Sequence, residues 1–390
     1  MSKTDHRQRW YWTLAIFGFT GITAMGFQMR GALLPSLQES FMLSESLLGL
    51  VATAGTVGFI CTILATGIAA GRIDIQRASG WSAVVVGASI LGMAFATTFG
   101  LYLGILFIRG VATGPFRALD RAILGHLYSS NRGRIFNLYA MAWAAGAAIG
   151  PLVVTAALVA GNWRFAYLVL AVGFVPVVIL LWRLELPDAV RAEESLTLDH
   201  LRTLLQRRSI AGMGIVLALN GGVEGSLFTW LPYLAAQSFD TGTANLLLTA
   251  YLLAYVPGRL THSYAVDWFD VSLTLVVVLA ICTIPVYFFV VFVAQEWMLF
   301  VAAGLLGFVI SGIFPTLSAF GVDIVPNHSA PINAIATGSS YFGMATIPPI
   351  IGIAATAVGI RQALAIPLVL VCLVAIGVGV MRISIPARLS

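Results

Sequence analysis

The chain has 390 residues, of which 59% are hydrophobic and 9% are charged, whereas a typical soluble domain has roughly 45–50% apolar and about 25% charged residues. This composition excludes a soluble globular domain, because no such fold could bury so much apolar surface. The formal net charge is +5, and we expect its position along the chain to reflect membrane topology, with no nucleic-acid partner.

Long apolar blocks recur along the whole sequence, and most are close to the ~20 residues that a helix needs to cross ~30 Å of hydrocarbon. The alternating pattern of a transmembrane barrel is absent. We therefore predict an all-α membrane protein with twelve transmembrane helices. They lie near residues 12–37, 46–70, 80–98, 100–126, 135–160, 163–184, 209–235, 243–265, 271–293, 297–320, 331–357 and 361–382.

Positive charges are distributed unevenly between the two sides of the predicted membrane. If the N-terminus is cytoplasmic, most of the 21 Lys and Arg residues fall in cytoplasmic segments or at their helix ends, whereas the outer loops hold Arg164 and Arg361. By the positive-inside rule, this asymmetry predicts that both termini are cytoplasmic. We expect a multi-pass protein of the cell membrane.

A polar segment divides the sequence into two halves. Residues 185–208 are rich in charges and contain leucines at 198, 201, 204 and 205, which could form a short amphipathic surface helix. We predict that this segment is a cytoplasmic linker. It would connect an N-terminal six-helix bundle, residues 1–184, to a C-terminal six-helix bundle, residues 209–390.

The two halves share residues at a constant offset of 197, which indicates a duplicated and pseudo-symmetric bundle. Such repeats are typical of carriers, in which two similar halves can rock about a central site. The matched pairs are Pro35 and Pro232, Gly146 and Gly343, Pro151 and Pro348, and Arg164 and Arg361.

Several function classes lack their characteristic motifs. The single lysine is Lys3, so no phosphate-binding loop ending in Gly-Lys-Ser/Thr is present and direct use of ATP is disfavoured. The His-Glu-x-x-His and Gly-x-Ser-x-Gly motifs of hydrolases and the repeated filter of a channel are also absent. Cys61, Cys282 and Cys372 lie far apart in apolar blocks. We expect no enzyme, no cofactor and no metal.

Two motifs in the first half resemble those of the major facilitator superfamily, and the resemblance extends over nearly the whole chain. Arg109-Gly-Val-Ala-Thr-Gly114 resembles the family's Arg-x-x-x-Gly motif in helix four, with the glycine one place late. Gly146-Ala-Ala-Ile-Gly150-Pro151 resembles its Gly-x-x-x-Gly-Pro motif in helix five. The resemblance implies two six-helix bundles and secondary transport by alternating access.

A third family motif, in the loop after helix two, is only partly matched. Arg72 fits the pattern, but Gly71 occupies the position of its acidic residue. We predict a gating or structural role for Arg72.

We predict the same kind of role for three residues of helix five. Gly146 and Gly150 are small enough to let two helices touch, and Pro151 bends the helix at that contact.

Charges within the apolar blocks are the main candidates for function, because a charge at the bilayer centre costs at least ~2.5–3.5 kcal/mol. Arg30 could contact substrate or reach the outer headgroups. Arg109, near the middle of helix four, could bind substrate or couple transport, as the resemblance allows. Arg259 could lie in the cavity or at the inner interface.

Glu224 is the clearest acid at mid-membrane depth, and it could carry a proton or form a permanent ion pair with an arginine. Subtracting the repeat offset of 197 from 224 gives the equivalent position in the first half, Phe27, which lies about one helical turn before Arg30. In the resembled family, helices one, four, seven and ten line the central cavity. We add Gln28 and Asn220, which are polar residues near Arg30 and Glu224, to the predicted substrate site.

Helix four also carries a polar stripe, since Thr113, Arg117 and Asp120 fall on the same face as Arg109. Arg117 and Asp120 are spaced to pair along the helix. We predict that they form a structural or gating pair near the cytoplasmic end.

Within the helix interiors arginines outnumber acids, so we predict an electropositive cavity and a proton-coupled carrier of a small organic anion. Its partners would be this substrate, a proton and the lipid bilayer, and we expect a monomer. The first alternative is a symporter of a sugar or another neutral solute, since Glu224-Gly-Ser-Leu-Phe-Thr-Trp230 and Ile313-Phe-Pro-Thr316 resemble the fucose-permease branch. The second alternative is a drug or metabolite efflux antiporter.

Overall fold

The computed structural model describes residues 3–69, 74–128, 132–185, 198–269, 272–325 and 329–384. Within these ranges all regular secondary structure is helical, as the apolar blocks predict. The helices of the first half are α1 (Lys3–Ala32), α2 (Leu34–Phe41), α3 (Glu45–Leu48), α4 (Leu50–Ala69), α5 (Ile75–Ala94), α6 (Phe99–Leu127), α7 (Arg132–Val159) and α8 (Arg164–Arg183).

A short helix, α9 (Leu198–Leu205), follows in the predicted linker at the leucines that suggested it. The second half continues with further α-helices, a 3-10 segment at Val266–Trp268 and a π-helical segment at Phe289–Val293. Its α-helices are α10 (Arg208–Ala235), α11 (Thr241–Leu253), α12 (Tyr255–Ala265), α13 (Ser272–Phe288), α14 (Trp297–Ile310), α15 (Ile313–Ile324), α16 (Ser329–Val358), α17 (Ile360–Ala363) and α18 (Ala365–Ser384).

Nine helical stretches of the described residues are long and apolar enough to cross a membrane. The predicted spans 12–37, 80–98 and 243–265 also coincide with helices, but these do not meet the same limits of length and hydropathy. The all-helical membrane fold is therefore confirmed. The number of twelve crossings and the cytoplasmic position of the termini stay predictions.

Several of the predicted spans are interrupted helices, and in some of them a proline follows the break. The span at 243–265 breaks at Ala254, between α11 and α12, and the span at 297–320 breaks between Ile310 and Ile313. Pro257 and Pro315 follow these breaks. Because proline has no N–H group, the carbonyl group four residues earlier loses its helical hydrogen bond, and the helix bends or stops there.

The chain divides into two compact units. Unit 1 comprises Met1–Leu33 and Ala54–Leu196, and in it α1 packs along α7 while α5 packs between α6 and α8. Glycine allows the close approach of α1 and α7, since a Cβ atom at Gly146 would overlap the carbonyl group of Gly21. The family motif in helix five therefore forms a helix contact, as its small residues predict.

Unit 2 comprises Leu34–Thr53 and Thr197–Ser390. Its most extensive helix–helix interface is between α10 and α16, where a Cβ atom at Gly343 would overlap the carbonyl group of Ala218. Adding the repeat offset of 197 to Gly146 and Gly21 gives these same two positions. The duplication read from the sequence is thus repeated in the helix packing.

The segment Leu34–Thr53 is early in the sequence but belongs to unit 2, where α3 packs on α16. The hydroxyl group of Thr53 donates to the carbonyl oxygen of Ala345 at 2.7 Å. On α10, the hydroxyl group of Tyr233 donates to Gln38 at 3.0 Å and to Glu45 at 3.2 Å. Unit 2 therefore includes a segment that the predicted bundle boundaries assign to the first half.

A loop leads from α10 to α11, and Asp240 caps the N-terminus of α11. The backbone N–H group of Thr243 donates to the Asp240 carboxylate at 3.1 Å, and the Thr243 hydroxyl group donates at 2.5 Å. The hydrogen bond from the Thr243 hydroxyl group lowers the pKa of this exposed carboxyl group most, and the backbone hydrogen bond lowers it further. The cap fixes where α11 begins.

Candidate functional site

Arg109 lies in α6 and its side chain is buried, with 6% of the residue exposed. Nη1 of its guanidinium group is 3.9 Å from the sulfur atom of Met93. Among the described residues, no carboxylate lies within 4.0 Å of this guanidinium group. Burying a cation without an acidic partner costs free energy, so other polar groups or a ligand must compensate the charge of Arg109.

Two tyrosines supply the polar surroundings of Arg109. The hydroxyl groups of Tyr102 and Tyr167 are hydrogen-bonded to each other at 2.7 Å, and both phenol groups interact electrostatically with Arg109 and Arg30. Tyr102 precedes Arg109 by two helical turns on α6, and Tyr167 lies near the start of α8. The structure therefore brings Arg30 and Arg109 to one buried cluster, which we call the arginine cluster: Arg30, Tyr102, Arg109 and Tyr167.

Arg30 is also buried, and its side chain is held inside unit 1. Nε donates to the carbonyl oxygen of Phe27 at 3.1 Å, and Nη1 donates to the hydroxyl group of Thr56 at 3.5 Å. The guanidinium carbon lies 3.8 Å from the centre of the Phe27 ring, a cation–π contact. The side chain therefore packs inside the unit, whereas snorkelling would extend it to an exposed surface.

Gln28 is fully buried on α1, and both polar atoms of its amide group have no hydrogen-bond partner among the described residues. Burying an amide group without partners costs free energy. The amide group of Gln28 could therefore form hydrogen bonds to a substrate.

Arg117 and Asp120 form the pair that their spacing predicts, at 3.3 Å. Asp120 is fully buried. Arg117 also donates to the hydroxyl group of Thr20 at 3.2 Å, and the hydroxyl group of Tyr139 is hydrogen-bonded to both members of the pair. The network ties α6 to α1 and α7 within unit 1, which suits a structural pair; the gating role stays a prediction.

The helix-five residues pack against α1. A Cβ atom at Gly150 would overlap the carbonyl oxygen of Met25, one turn along from the contact at Gly146. Pro151 lies inside α7, directly after Gly150. Arg72 lies outside the described residues, so its predicted gating role is not addressed by the structure.

Glu224 lies in α10 of unit 2 and is buried, with 6% of the residue exposed. The hydroxyl group of Tyr255 donates to Oε1 of Glu224 at 2.7 Å, and the amide group of Asn220 donates to Oε2 at 3.4 Å. The Tyr255 and Tyr251 hydroxyl groups are hydrogen-bonded at 2.8 Å. These residues form a second buried group, which we call the glutamate cluster: Asn220, Glu224, Tyr251 and Tyr255.

Arg259 approaches the glutamate cluster without pairing directly with its acid. Its guanidinium carbon lies 5.3 Å from the centre of the Tyr255 ring, and the arginine interacts electrostatically with Glu224. Within the described part of the chain, Glu224 forms no ion pair. The alternative of a permanent ion pair for Glu224 therefore disagrees with the structure, in which neutral groups hold the carboxylate.

Helical periodicity explains the glutamate cluster. Asn220 and Glu224 are four residues apart on α10, so they share a face, whereas Gly221 and Gly225 turn to α16 and allow its close approach. Tyr251 and Tyr255 are also four residues apart, across the break between α11 and α12.

None of the tyrosines at these sites is singled out by the sequence as a functional residue: Tyr102, Tyr167, Tyr251 and Tyr255 in the two clusters, and Tyr139 beside Arg117 and Asp120. The available signal for Tyr102 was its seven-residue spacing from Arg109, which places both on one face of a helix. Asn245 was also missed; it is fully buried on α11, with both amide atoms unpartnered among the described residues. No group of three His, Cys, Asp or Glu in the searched, described residues could hold a metal ion.

Apolar helices with a few buried charges are typical of a multi-pass membrane protein, and comparison with known proteins gives its family. The pattern of the Major Facilitator Superfamily matches residues 16–242 and 213–389. The chain belongs to this superfamily. It is therefore a secondary transporter of the cell membrane that moves a small-molecule substrate, and it is not an enzyme. The resemblance seen in the sequence is confirmed.

Individual relatives are distant. The chain is 22% identical over 301 residues to a protein called TsgA homolog from Serratia proteamaculans (strain 568), covering 75% of each protein. Among solved structures, it is similar to a bacterial homologue of the human lysosomal transporter Spinster, with a TM-score of 0.81, 14% identity and 98% of each chain covered. It is also similar to a D-xylose-proton symporter, with a TM-score of 0.79, 16% identity and coverage of 98% of this chain and 99% of that one.

Proposed function

We propose that the protein is a proton-coupled carrier of a small organic anion. The observation that carries the proposal is the buried guanidinium group of Arg109, which has no carboxylate partner among the described residues. A carboxylate of the substrate would compensate this charge with a charge-assisted and bidentate pair. Arg30 would share the anion through the arginine cluster.

The tyrosine hydroxyl groups support the same assignment. The hydroxyl groups of Tyr102 and Tyr167 share one hydrogen bond of 2.7 Å, which uses only one of their two O–H donors. Each hydroxyl group can donate a hydrogen bond to a carboxylate oxygen after a rotation about its C–O bond. Gln28, whose buried amide group has no hydrogen-bond partner among the described residues, stays a further proposed substrate residue on α1.

Glu224 would carry the proton. It is buried in a membrane helix and is held by Asn220 and Tyr255, which are neutral. An acid in such surroundings can bind and release a proton without breaking an ion pair, and buried acids of membrane helices commonly form proton relays. Asn220 and Arg259 stay proposed substrate contacts, and transport would proceed by alternating inward- and outward-open forms.

A neutral-solute symporter is the second candidate. The partners of Glu224 are an amide and a hydroxyl group, and such groups suit the hydroxyl groups of a sugar. The fold is also similar to that of a D-xylose-proton symporter. The two candidates make opposite predictions about which class of ligand binds and about the need for Arg109.

Ligand-induced stabilisation distinguishes them, because a ligand that binds the folded state raises the melting temperature. The purified protein would be heated with lactate, succinate, D-xylose or uridine at about pH 6 and about pH 8. We expect a carboxylate to stabilise the protein, more at the lower pH, and to lose this effect in Arg109→Gln. Stabilisation by the xylose or uridine probe alone would favour the neutral-solute candidate. Equal carboxylate protection of Arg109→Gln would contradict the role of Arg109.

Symport and antiport can be distinguished by measuring accumulation of the stabilising probe by the purified protein in liposomes. A symporter accumulates the stabilising probe when the proton gradient is directed into the vesicle, whereas an efflux antiporter accumulates it when the vesicle interior is acidic. Accumulation in the second arrangement would replace the symport proposal with the efflux alternative.

A further inference from the structure

Tyr255 occupies a special position in the glutamate cluster, because it contacts the acid and the nearest arginine at once. Its hydroxyl group donates to Oε1 of Glu224 at 2.7 Å, while the guanidinium carbon of Arg259 lies 5.3 Å from its ring centre. Tyr255 is buried. The residue thus links the carboxylate to a positive charge that does not pair with it directly.

The same hydroxyl group has a second partner. The oxygen atoms of Tyr255 and Tyr251 are 2.8 Å apart. Because Tyr255 donates its single hydroxyl proton to Glu224, Tyr251 is the donor in this pair. Tyr251 is fully buried, and the ring of Phe228 lies 6.1 Å from that of Tyr251 and 6.4 Å from that of Tyr255. The hydroxyl pair therefore lies in a buried, largely aromatic environment, and hydrogen bonds are stronger in such apolar surroundings.

The backbone at Tyr255 is irregular. Tyr255 is the first residue of α12, directly after the break at Ala254, and Pro257 removes the helical hydrogen bond of the Leu253 carbonyl group. The phenol group that holds the acid therefore projects from a point where the helix can bend.

We propose that Tyr255 is the positioning residue of the proton site, whose hydroxyl group holds the ionised carboxylate of Glu224 and turns to Tyr251 when Glu224 takes up a proton. This inference rests on the proposed role of Glu224. When a proton from water bonds to a carboxylate oxygen, the negative charge that attracts the Tyr255 hydroxyl group disappears. The Tyr251 O–H then rotates away about its C–O bond, and the Tyr255 hydroxyl group donates to the Tyr251 oxygen. The site has gained one positive charge.

The ionisable groups around the site lie on α10 and on the helices that pack against it. Tyr251, Tyr255 and Arg259 face Glu224 from α11 and α12, and Asn220 is its polar neighbour on α10. The other helices packed against α10 are α2, α9, α15, α16 and α18. Among the side chains that the structure describes, their ionisable ones are Glu39, Asp199, Arg202, Asp323, Tyr341, Cys372 and Arg382.

Infrared titration tests the inference without a known substrate. The carboxylic-acid C=O band of Glu224 is identified in the reconstituted protein by its loss in Glu224→Gln, and its intensity is followed against pH. The hydrogen bond from Tyr255 favours the ionised form of Glu224, so its loss favours the protonated form. We therefore expect Tyr255→Phe to move the midpoint of this titration to higher pH by about one to two units.

Two matched variants separate this effect from a general loss of packing. Tyr251→Phe removes the second hydroxyl group and should move the midpoint less. Tyr287→Phe removes a buried hydroxyl group of the same unit that donates to the carbonyl oxygen of Leu364 at 3.0 Å, so it should leave the midpoint unchanged. Each variant is first checked for its melting temperature and for the wild-type infrared amide band.

The outcomes are distinguishable. A wild-type band that titrates but does not move in Tyr255→Phe would overturn the positioning role while leaving the proton site of Glu224 intact. An equal shift in Tyr287→Phe would attribute the effect to packing and would also overturn it. A Glu224 band that does not titrate at all in the wild type would contradict the proposed proton coupling itself.

Discussion

The guanidinium group of Arg109 lies directly against the backbone of Gly26, so closely that a Cβ atom on Gly26 would be 3.0 Å from Nη1 and 3.3 Å from Nη2. The absence of a side chain at Gly26 therefore leaves room for the guanidinium group of Arg109. We predict that Gly26→Ala displaces the guanidinium group and weakens binding of the stabilising carboxylate probe at least about fivefold, equivalent to ~1 kcal/mol. Isothermal titration calorimetry measures this affinity.

Gly104 provides the control for that substitution. It lies in α6, the helix of Arg109, and a Cβ atom there would meet nothing within 4 Å. We expect Gly104→Ala to bind the carboxylate probe as the wild type does. Unchanged affinity in Gly26→Ala would mean that the Arg109 position seen here is not the binding position.

Arg109 itself should matter for affinity more than for stability. Because it has no acidic partner among the described residues, Arg109→Gln leaves no buried carboxylate uncompensated. We predict a loss of carboxylate binding of more than about tenfold, with a melting temperature at or above that of the wild type. Arg109→Lys keeps the charge but loses the bidentate geometry, so it should rescue only part of the affinity. A large fall in the melting temperature of Arg109→Gln would indicate a structural role.

Arg117 should behave in the opposite way. Its partner Asp120 is fully buried, so Arg117→Gln would leave an uncompensated carboxylate inside unit 1. Breaking a buried pair in this manner costs about 3–5 kcal/mol. We predict a clear fall in the midpoint of chemical unfolding in detergent, partly reversed in the double variant with Asp120→Asn. If the single and double variants unfold at the same denaturant concentration, the pair is not coupled.

The repeat offset gives paired predictions about packing. Gly146 and Gly343 occupy equivalent positions, each pressed against a carbonyl group of the neighbouring helix. We expect Gly146→Val and Gly343→Val each to prevent normal folding, since the backbones would have to separate. Gly338→Ala, where a Cβ atom meets nothing within 4 Å, should fold normally. Size-exclusion chromatography and melting temperature measure the result, and a wild-type profile for either valine variant would contradict the close contact.

Much of the fold could be predicted from the sequence, because the apolar blocks and the repeat offset are local or periodic signals. The breaks in the spans at 243–265 and 297–320 were visible in principle as Pro257 and Pro315. The placement of Leu34–Thr53 in unit 2 was not, because hydropathy identifies spans and says nothing of which helices pack together. That assignment depends on contacts such as Thr53 with Ala345, nearly 300 residues apart.

The candidate site was predicted in part for a similar reason. Arg109 and Glu224 stand out in the sequence because a charge in an apolar block is rare and costly. Their tyrosine partners do not stand out, since most of the aromatic residues in a membrane protein serve packing or the interface. Tyr167 reaches the cluster from α8 and Tyr255 reaches Glu224 from α12, and only tertiary packing brings them there.

The exchange and accumulation modes of transport should respond differently to Glu224→Gln. The amide cannot take up a proton, yet it keeps the size and hydrogen-bonding capacity of the acid. We predict that exchange of labelled for unlabelled carboxylate probe across the liposome membrane continues, while accumulation driven by a proton gradient is lost. Accumulation at the wild-type level would show that the coupling proton binds elsewhere, Asp120 being the next buried acid to test.

Proton flux driven by a carboxylate gradient is the most direct test of proton-coupled anion transport. Wild-type protein, Arg109→Gln and Glu224→Gln would be placed in liposomes containing a trapped pH-sensitive dye, and the stabilising carboxylate or D-xylose would be added outside. Proton-coupled anion transport predicts that the carboxylate acidifies the interior with the wild type and with neither variant. Acidification by D-xylose alone, or by the carboxylate through Arg109→Gln at the wild-type rate, would contradict it.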